Sequence, residues 1–234
     1  YKRQICRLRG STDMNRKVDE LIASAKDIWA GYDEHPFVKG IADGTLDKEK
    51  FKYYMIQDYL YLIDYARVFA LGTVKSTDSE TMKLCAGYVK QILDGEMDIH
   101  KGYMHRLGIS LEEAETTKPA LDNISYTSYM LRAAYDGGAP EVMAAILSCA
   151  VSYEVIGKHI VENDPKAAEH EFYGEWISGY SAPEYAEANR KLEALTERLI
   201  ADCGDERFAR LKEIFINCSR YEGAFWDMAW EMRA

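Results

Sequence analysis

Basic residues, long apolar runs and paired cysteine motifs are all scarce in this sequence. Its 234 residues carry 29 Lys and Arg against 39 Asp and Glu, a net charge of -10, which argues against nucleic acid or an anionic membrane surface as a partner. The longest apolar stretch, residues 142–151, is too short to span a bilayer, and no hydrophobic signal core is present. Five scattered cysteines form neither a disulfide framework nor a CxxC metal pattern. We therefore expect a soluble cytoplasmic protein.

Proline is also scarce, and it does not interrupt the periodic segments. All five prolines lie at plausible helix starts or in turns, and the apolar residues between them recur at intervals of three and four, which favours helices. Since no run alternates convincingly with a period of two, we predict essentially no sheet. The expected fold is all-α, one helical bundle in a single domain, with helices at about 15–32, 47–75, 78–107, 120–137, 140–162, 165–180, 183–203 and 205–232.

The N-terminal residues differ from the rest of the chain. Residues 1–13 precede the first methionine and are basic, and we interpret them as a non-native or disordered extension. The single helical domain is then expected to cover residues 14–234. Within it, Asp47 and Asp78 are predicted to begin helices, because an acidic side chain there meets the free amides of the first turn.

Three polar side chains fall where the apolar face of a helix is expected. Glu222 lies in the middle of an inward stripe of the last helix, and Asp58 lies on an aromatic face beside Tyr61. Cys149 shares a face of its helix with Tyr153, one turn later. An ionised carboxylate in such a position is costly unless it is paired or protonated. We therefore treat the three side chains as candidate functional residues.

Each of these side chains also has an ordinary structural interpretation. A buried cysteine is usually a small hydrophobe, and a carboxylate on an apolar stripe is usually paired. Two carboxylates and a cysteine on three helices of one bundle fit that interpretation less well. A buried glutamate with a raised pKa can transfer protons near neutral pH, and a neighbouring base can generate a thiolate. Periodicity alone leaves open whether the three meet in space.

Six separated runs, in one order along nearly the whole chain, resemble the motifs of the TenA family, the thiaminase II or aminopyrimidine aminohydrolase enzymes. They are HPFVKGIADGTL at 35–46, FKYYMIQDYLYL at 51–62, SYTS at 125–128, SCAVSYE at 148–154, YGEWISGY at 173–180 and YEGAFWDMAW at 221–230. The resemblance implies a haem-oxygenase-like helical fold, usually a homotetramer, without a metal or organic cofactor. It also implies a catalytic domain with a pocket for a small-molecule aminopyrimidine.

The resemblance also implies roles for individual residues. By motif position, Cys149 is similar to the family's nucleophile, Glu222 to its acid/base, and Asp58 to the carboxylate that holds the pyrimidine. The matching pocket tyrosines are Tyr61, Tyr126, Tyr153 and Tyr180. The implied reaction belongs to thiamin salvage: an aminomethyl-pyrimidine, with thiamin as the second choice of substrate, is hydrolysed to hydroxymethyl-pyrimidine through a covalent cysteine adduct.

These residue types suit that chemistry. A thiolate that adds to the ring lets electron density expel a group from the exocyclic methylene, and a carboxylic acid can move protons to and from ring nitrogens. An aspartate can bind the amino group and orient the ring. The sequence departs from the family beside the cysteine, where proline often precedes and bulky aromatics follow. Here Ser148 precedes and Ala150 and Val151 follow, which predicts a wider wall near the sulfur.

Three alternative functions remain open at this point. Glu96 and His100 have the ExxxH spacing of dimetal oxidases on the same fold, although no second such pair is present. A non-catalytic pyrimidine-binding or regulatory protein would keep the pocket without turnover. A cofactor-free oxidase, like the pyrroloquinoline quinone-forming branch of this fold, would want pocket histidines and arginines, which are scarce. His35, in the His-Pro-Phe turn, is interpreted as a structural hydrogen-bonding residue.

Overall fold

Helices account for all the regular structure of residues 16–234, which are the residues that the computed structural model describes. The interpretation of residues 1–13 as an extension therefore lies outside the described part of the chain. The helices are α1 (Lys17–Ala23), α2 (Lys26–Asp33), α3 (Pro36–Ala42), α4 (Lys48–Lys75), α5 (Ser79–Gln91), α6 (Met97–Arg106), α7 (Leu111–Thr116), α8 (Leu121–Asp136), α9 (Ala139–Asn163), α10 (Gly174–Ser181), α11 (Pro183–Ile200) and α12 (Asp205–Glu231). The all-α prediction is confirmed.

The long helices begin where their sequences predict. The Asp47 side chain accepts a hydrogen bond from the backbone N–H of Glu49 at 2.8 Å, at the start of α4. The Asp78 side chain accepts from the N–H groups of Glu80 and Thr81 at 3.1 and 2.9 Å, at the start of α5. Both predicted acidic caps are present, because an aspartate oxygen can satisfy first-turn amides that have no partner within the helix.

Two predicted helices are each divided in two. The 15–32 segment breaks after Ala23, where the Ser24 hydroxyl bonds back to the Leu21 carbonyl at 2.5 Å. The 165–180 segment is a 3₁₀ turn (Pro165–Glu169) followed by α10. Between them His170 Nδ1 accepts from the N–H groups of Phe172 and Tyr173, both at 3.1 Å. In each case a polar side chain competes locally with the helix.

Two short helices and one irregular segment are absent from the sequence prediction. Helix α3 fills a predicted turn, because His35 Nδ1 caps it by accepting from the Phe37 N–H at 3.1 Å; the structural role predicted for His35 is therefore observed. Helix α7 occupies a second such turn. The predicted 78–107 helix contains a π-helical turn (Ile92–Glu96) between α5 and α6. This π turn borders a cavity that is also lined by α4, α9 and α11.

Helix α9 is the central helix of the bundle and packs against α4, α8, α10, α11 and α12. Among the described residues it is the one helix that passes a test of length and composition for crossing a membrane, but 78% of its apolar window is buried against the other helices. That burial is the expected state of a core helix, which needs an apolar surface all round. Its central position brings α9 side chains into contact with residues from several helices at once.

Candidate active site

A cavity of about 80 Å³ lies in the bundle between α4, the α5–π segment, α9 and α11. Its wall is rich in aromatic side chains and has a few polar groups that converge on the same space, as is usual for small-molecule sites. Asp58 and Tyr61 come from α4, Cys149 and Tyr153 from α9, and Tyr180 from α10. The further residues of this wall that concern the site chemistry are Tyr65, Tyr88, Gln91, Glu96, Ala150 and Tyr185.

Cys149 faces the cavity from the middle of α9, as its helical stripe predicts. The side chain is partly buried and packs against the core. Burial raises the pKa of its thiol well above the usual value, and the charge of Glu222 raises it further, while a hydrogen bond with Tyr61 opposes them. The thiol is therefore protonated at neutral pH, so the expected thiolate needs a proton acceptor before it can form.

Glu222 lies directly behind the cavity wall, on α12, and is only 3% exposed. Its carboxylate accepts a hydrogen bond from the Tyr126 hydroxyl at 2.9 Å. Burial raises the pKa of Glu222 to about 8, although hydrogen bonds from Tyr126, Tyr153 and Cys149 each lower it. A carboxyl group with that pKa can give and accept a proton near neutral pH. Contact with both Cys149 and Tyr126 places it beside the sulfur.

Asp58 is 5% exposed and forms a buried ion pair that the sequence did not reveal. His100 Nε2 lies 2.5 Å from Asp58 Oδ2, and His100 Nδ1 lies 3.0 Å from the Glu96 carbonyl oxygen. Burial lowers the pKa of His100, but the hydrogen bond and charge of Asp58, with the charge of Glu96, outweigh it and raise the pKa above its usual value. The imidazolium therefore donates from both nitrogens and fixes the Asp58 carboxylate.

The same contact opposes the dimetal alternative. His100, its candidate imidazole ligand, directs Nε2 at Asp58 and Nδ1 at a backbone carbonyl, which leaves no nitrogen free for a metal. Among residues 16–234, no group of three or more His, Cys, Asp or Glu side chains is arranged to hold a metal ion. The histidine of the ExxxH pair therefore belongs to a buried ion pair with Asp58, and Glu96 contacts it through the backbone carbonyl. The signal available in the sequence was a histidine on the inner face of its helix.

The four predicted pocket tyrosines surround the two acids and the sulfur. Tyr61, Tyr153 and Tyr180 line the cavity, whereas Tyr126 lies behind it on Glu222. The rings of Tyr153 and Tyr180 lie 4.7 Å apart between centroids. Helix α10 can approach α9 this closely because of Gly157, where an added Cβ would lie 2.7 Å from the Tyr180 backbone.

Sequence reasoning missed other members of the wall. Tyr65 and Tyr185 line the cavity with Glu96, and Tyr65 lies on the α4 stripe that already contained Asp58. Of the residues beside Cys149, Ala150 lines the cavity, whereas Ser148 and Val151 are buried outside its wall. The wider wall near the sulfur stays a prediction.

Comparisons with known proteins identify the family of this chain. The sequence model of the TENA/THI-4/PQQC family matches residues 22–232. An aminopyrimidine aminohydrolase from Helicobacter pylori is 46% identical over 212 residues, which cover 90% of this chain and 97% of that protein.

Two solved structures have the same architecture. A TenA homologue from P. horikoshii OT3 matches with a TM-score of 0.83 and 31% identity, over 93% of this chain and 99% of that one. A domain with a heme oxygenase-like fold from Shewanella denitrificans matches with a TM-score of 0.69 at 14% identity, over 95% of this chain and 94% of that one. The second likeness concerns the fold alone, and it confirms the haem-oxygenase-like fold that the sequence motifs imply.

Proposed function

The chain belongs to the TENA/THI-4/PQQC family, and on that premise we propose that it is an aminopyrimidine aminohydrolase of thiamin salvage. The observation that carries the proposal is the meeting of Cys149, Glu222 and Asp58, from three helices, at one enclosed aromatic cavity. The relative from H. pylori, of which the match covers 97%, carries that name and supports the activity. The substrate is an aminomethyl-pyrimidine, and the product is hydroxymethyl-pyrimidine.

Asp58 and the aromatic walls bind the substrate. The Asp58 carboxylate, held by His100, accepts hydrogen bonds from the amino group on the pyrimidine ring and fixes its orientation. Tyr61, Tyr153 and Tyr180 pack against the flat ring and keep competing water away. This arrangement holds a ring carbon next to the sulfur of Cys149.

Glu222 and Cys149 carry the covalent steps. Protonated Glu222 gives its proton to a ring nitrogen and then takes the proton of the Cys149 thiol, while the sulfur bonds to the activated ring carbon. Glu222, which now carries the thiol proton, gives it to the amine, which leaves as ammonia with the electron pair of its C–N bond; this leaves an exocyclic methylene conjugated with the ring. Water bonds to that carbon and gives a proton to Glu222. The sulfur then departs with the C–S electron pair and takes the proton from the ring nitrogen, which restores the thiol and the neutral ring. Overall, aminomethyl-pyrimidine and water are converted to hydroxymethyl-pyrimidine and ammonia.

A turnover assay with a cysteine variant tests this function. The parent protein and Cys149→Ser are incubated separately with aminomethyl-pyrimidine and with thiamin, and hydroxymethyl-pyrimidine is quantified by chromatography. We expect Cys149→Ser to lose at least about two orders of magnitude in rate, because serine is a far weaker nucleophile at neutral pH. Circular dichroism should show both proteins folded. Full activity in Cys149→Ser would rule out the covalent mechanism.

The same assay separates the alternatives. Tight binding of the pyrimidine without product from the parent protein would favour the non-catalytic binding protein. Product from thiamin as well as from aminomethyl-pyrimidine would extend the substrate range to thiaminase II activity. We further propose a cytoplasmic homotetramer that needs no metal or organic cofactor. Light scattering of the purified protein and activity after dialysis against a chelator test those two points.

A further inference from the structure

Glu96 is a further carboxyl group on the cavity wall, and it has no role in the proposed mechanism. Glu96 ends the π-helical turn between α5 and α6 and lines the cavity together with Tyr88 and Ile92 of the same segment. A π turn contains more residues than an α turn. The extra residue lets Glu96 face the cavity from the same side of the segment as Tyr88 and Ile92. π-helical turns of this kind are frequent at functional sites.

No described residue donates a hydrogen bond to the Glu96 carboxylate; its hydrogen bond in the structure, with His100, is made by its backbone carbonyl. The buried carboxylate of Glu141, by contrast, does have a protein donor, because Arg207 binds both of its oxygens at 2.9 and 2.8 Å. Burial raises the pKa of Glu96 to about 7, although the charge of His100 opposes the rise and that of Asp58 adds to it. The Glu96 side chain is only partly buried and lines the cavity, so a ligand there can reach its carboxylate and donate a hydrogen bond to it.

The position of Glu96 indicates which part of the ligand it faces. Glu222, Asp58 and Cys149 take up the ring, as argued above. Glu96 lies on the wall formed by the α5–π segment, where Tyr88 and Gln91 also border a broad outer cleft between α5 and α11. A ring held by the deep groups leaves its substituent pointing to the remaining space, on the side of this opening. That substituent carries the leaving group.

We propose that the Glu96 carboxylate binds the ammonium of the aminomethyl substituent and so selects substrates whose leaving group is an amine. The inference rests on the proposed function, because it assigns the other end of the same ligand. A primary amine is protonated near neutral pH and presents N–H donors, which a carboxylate accepts in a charge-assisted hydrogen bond. The thiazolium of thiamin is also cationic but carries no N–H. Glu96 therefore favours an ammonium over a thiazolium, because only the ammonium can add hydrogen bonds to the attraction between opposite charges.

Binding measurements in a non-turnover background test the assignment. Isothermal titration calorimetry on Cys149→Ser gives the Kd of aminomethyl-pyrimidine and of hydroxymethyl-pyrimidine. The Kd of the hydroxymethyl compound divided by the Kd of the aminomethyl compound is the ratio that measures the preference for the amine. Adding Glu96→Gln should reduce that ratio at least about tenfold, the usual worth of a charge-assisted hydrogen bond. Asp94→Asn is the matched control, because Asp94 lies on the same π turn, is exposed and pairs with Lys90. It should leave the ratio unchanged.

The outcomes separate this inference from the proposed function. A ratio in Glu96→Gln within about twofold of the background protein would refute the inference, and so would an equal loss of affinity for both ligands. Glu96→Asp, which keeps the charge, should retain part of the preference, and its complete loss there would show that charge is not the cause. If the parent protein released no product while Glu96→Gln still abolished the preference, the proposed function would fail and this assignment would stand.

Discussion

Glu222 offers a sharp test because its proposed role predicts opposite effects on activity and on stability. The pKa of Glu222 is raised by burial from 4.5 to about 8, so between these pH values the folded protein keeps a proton that the unfolded chain releases. Stability falls as pH rises wherever the folded state binds more protons. Glutamine has nearly the same shape and can still accept from Tyr126, but it does not titrate. Glu222→Gln should therefore remove this loss of stability.

The magnitude follows from proton linkage. One extra bound proton changes the free energy of unfolding by about 1.4 kcal/mol per pH unit. From pH 5 to pH 7, the wild-type protein should therefore lose about 3 kcal/mol relative to Glu222→Gln. Other titrating groups, Glu96 among them, contribute alike to both proteins and cancel in the difference. At neutral pH the variant should be the more stable protein and also the nearly inactive one, with at least about two orders of magnitude lost in rate.

Urea denaturation at pH 5, 6 and 7, at one fixed protein concentration, measures this difference. The free energy of unfolding of Glu222→Gln minus that of the wild type should grow steadily with pH. Glu213→Gln is the control, since it removes a carboxylate from an exposed position on the same helix. A difference for Glu222→Gln that is constant over this range would show that the folded protein does not hold the proton, and the acid role would have to be abandoned.

Two further substitutions test the groups around the acids. His100→Gln keeps a hydrogen-bond donor toward Asp58 but removes its charge, so we expect the KM for aminomethyl-pyrimidine to rise about tenfold with a smaller change in kcat; a fall in kcat alone would contradict a positioning role. Tyr126→Phe removes a hydrogen bond that lowers the pKa of Glu222. We expect kcat/KM of the wild type, which reports the groups of the free enzyme, to decline above about pH 8. The decline should move to higher pH in Tyr126→Phe, and an unmoved decline would assign it to another group.

Local sequence signals predicted the helices well wherever one residue and its neighbours decide the outcome. Asp47 and Asp78 cap their helices through amides two and three positions away, which is a contact within reach of sequence reasoning. The break at Ser24 and the turn at His170 depend on side chains that choose between two local hydrogen-bonding patterns, and composition does not settle that choice. The π turn before Met97 has no compositional signature at all.

In the candidate site, too, some features could be predicted from the sequence and others could not. Helical periodicity placed Cys149, Asp58 and Glu222 on inner faces, and all three are found at or directly behind one cavity. The partner of Asp58 could not be predicted, because His100 lies 42 positions away in the sequence and the contact depends on how α4 and α6 pack. The ExxxH spacing at Glu96 pointed instead to a metal. The packed structure shows that the imidazole pairs with Asp58 and that Glu96 lines the cavity.

The acidic groups around the cavity suggest how Cys149 can stay unreactive until a substrate binds and then act as a nucleophile. With the cavity empty, burial raises the pKa of Cys149, Glu222 and Glu96 together, so the sulfur is a protonated thiol and does not attack other molecules. In the proposed mechanism, the positive charge of the bound ammonium stabilises the ionised form of Glu96. Proton transfer from Glu222 to the ring then places a carboxylate beside the thiol just when the ring becomes electrophilic. In that mechanism, ligand binding and not a standing thiolate generates the nucleophile.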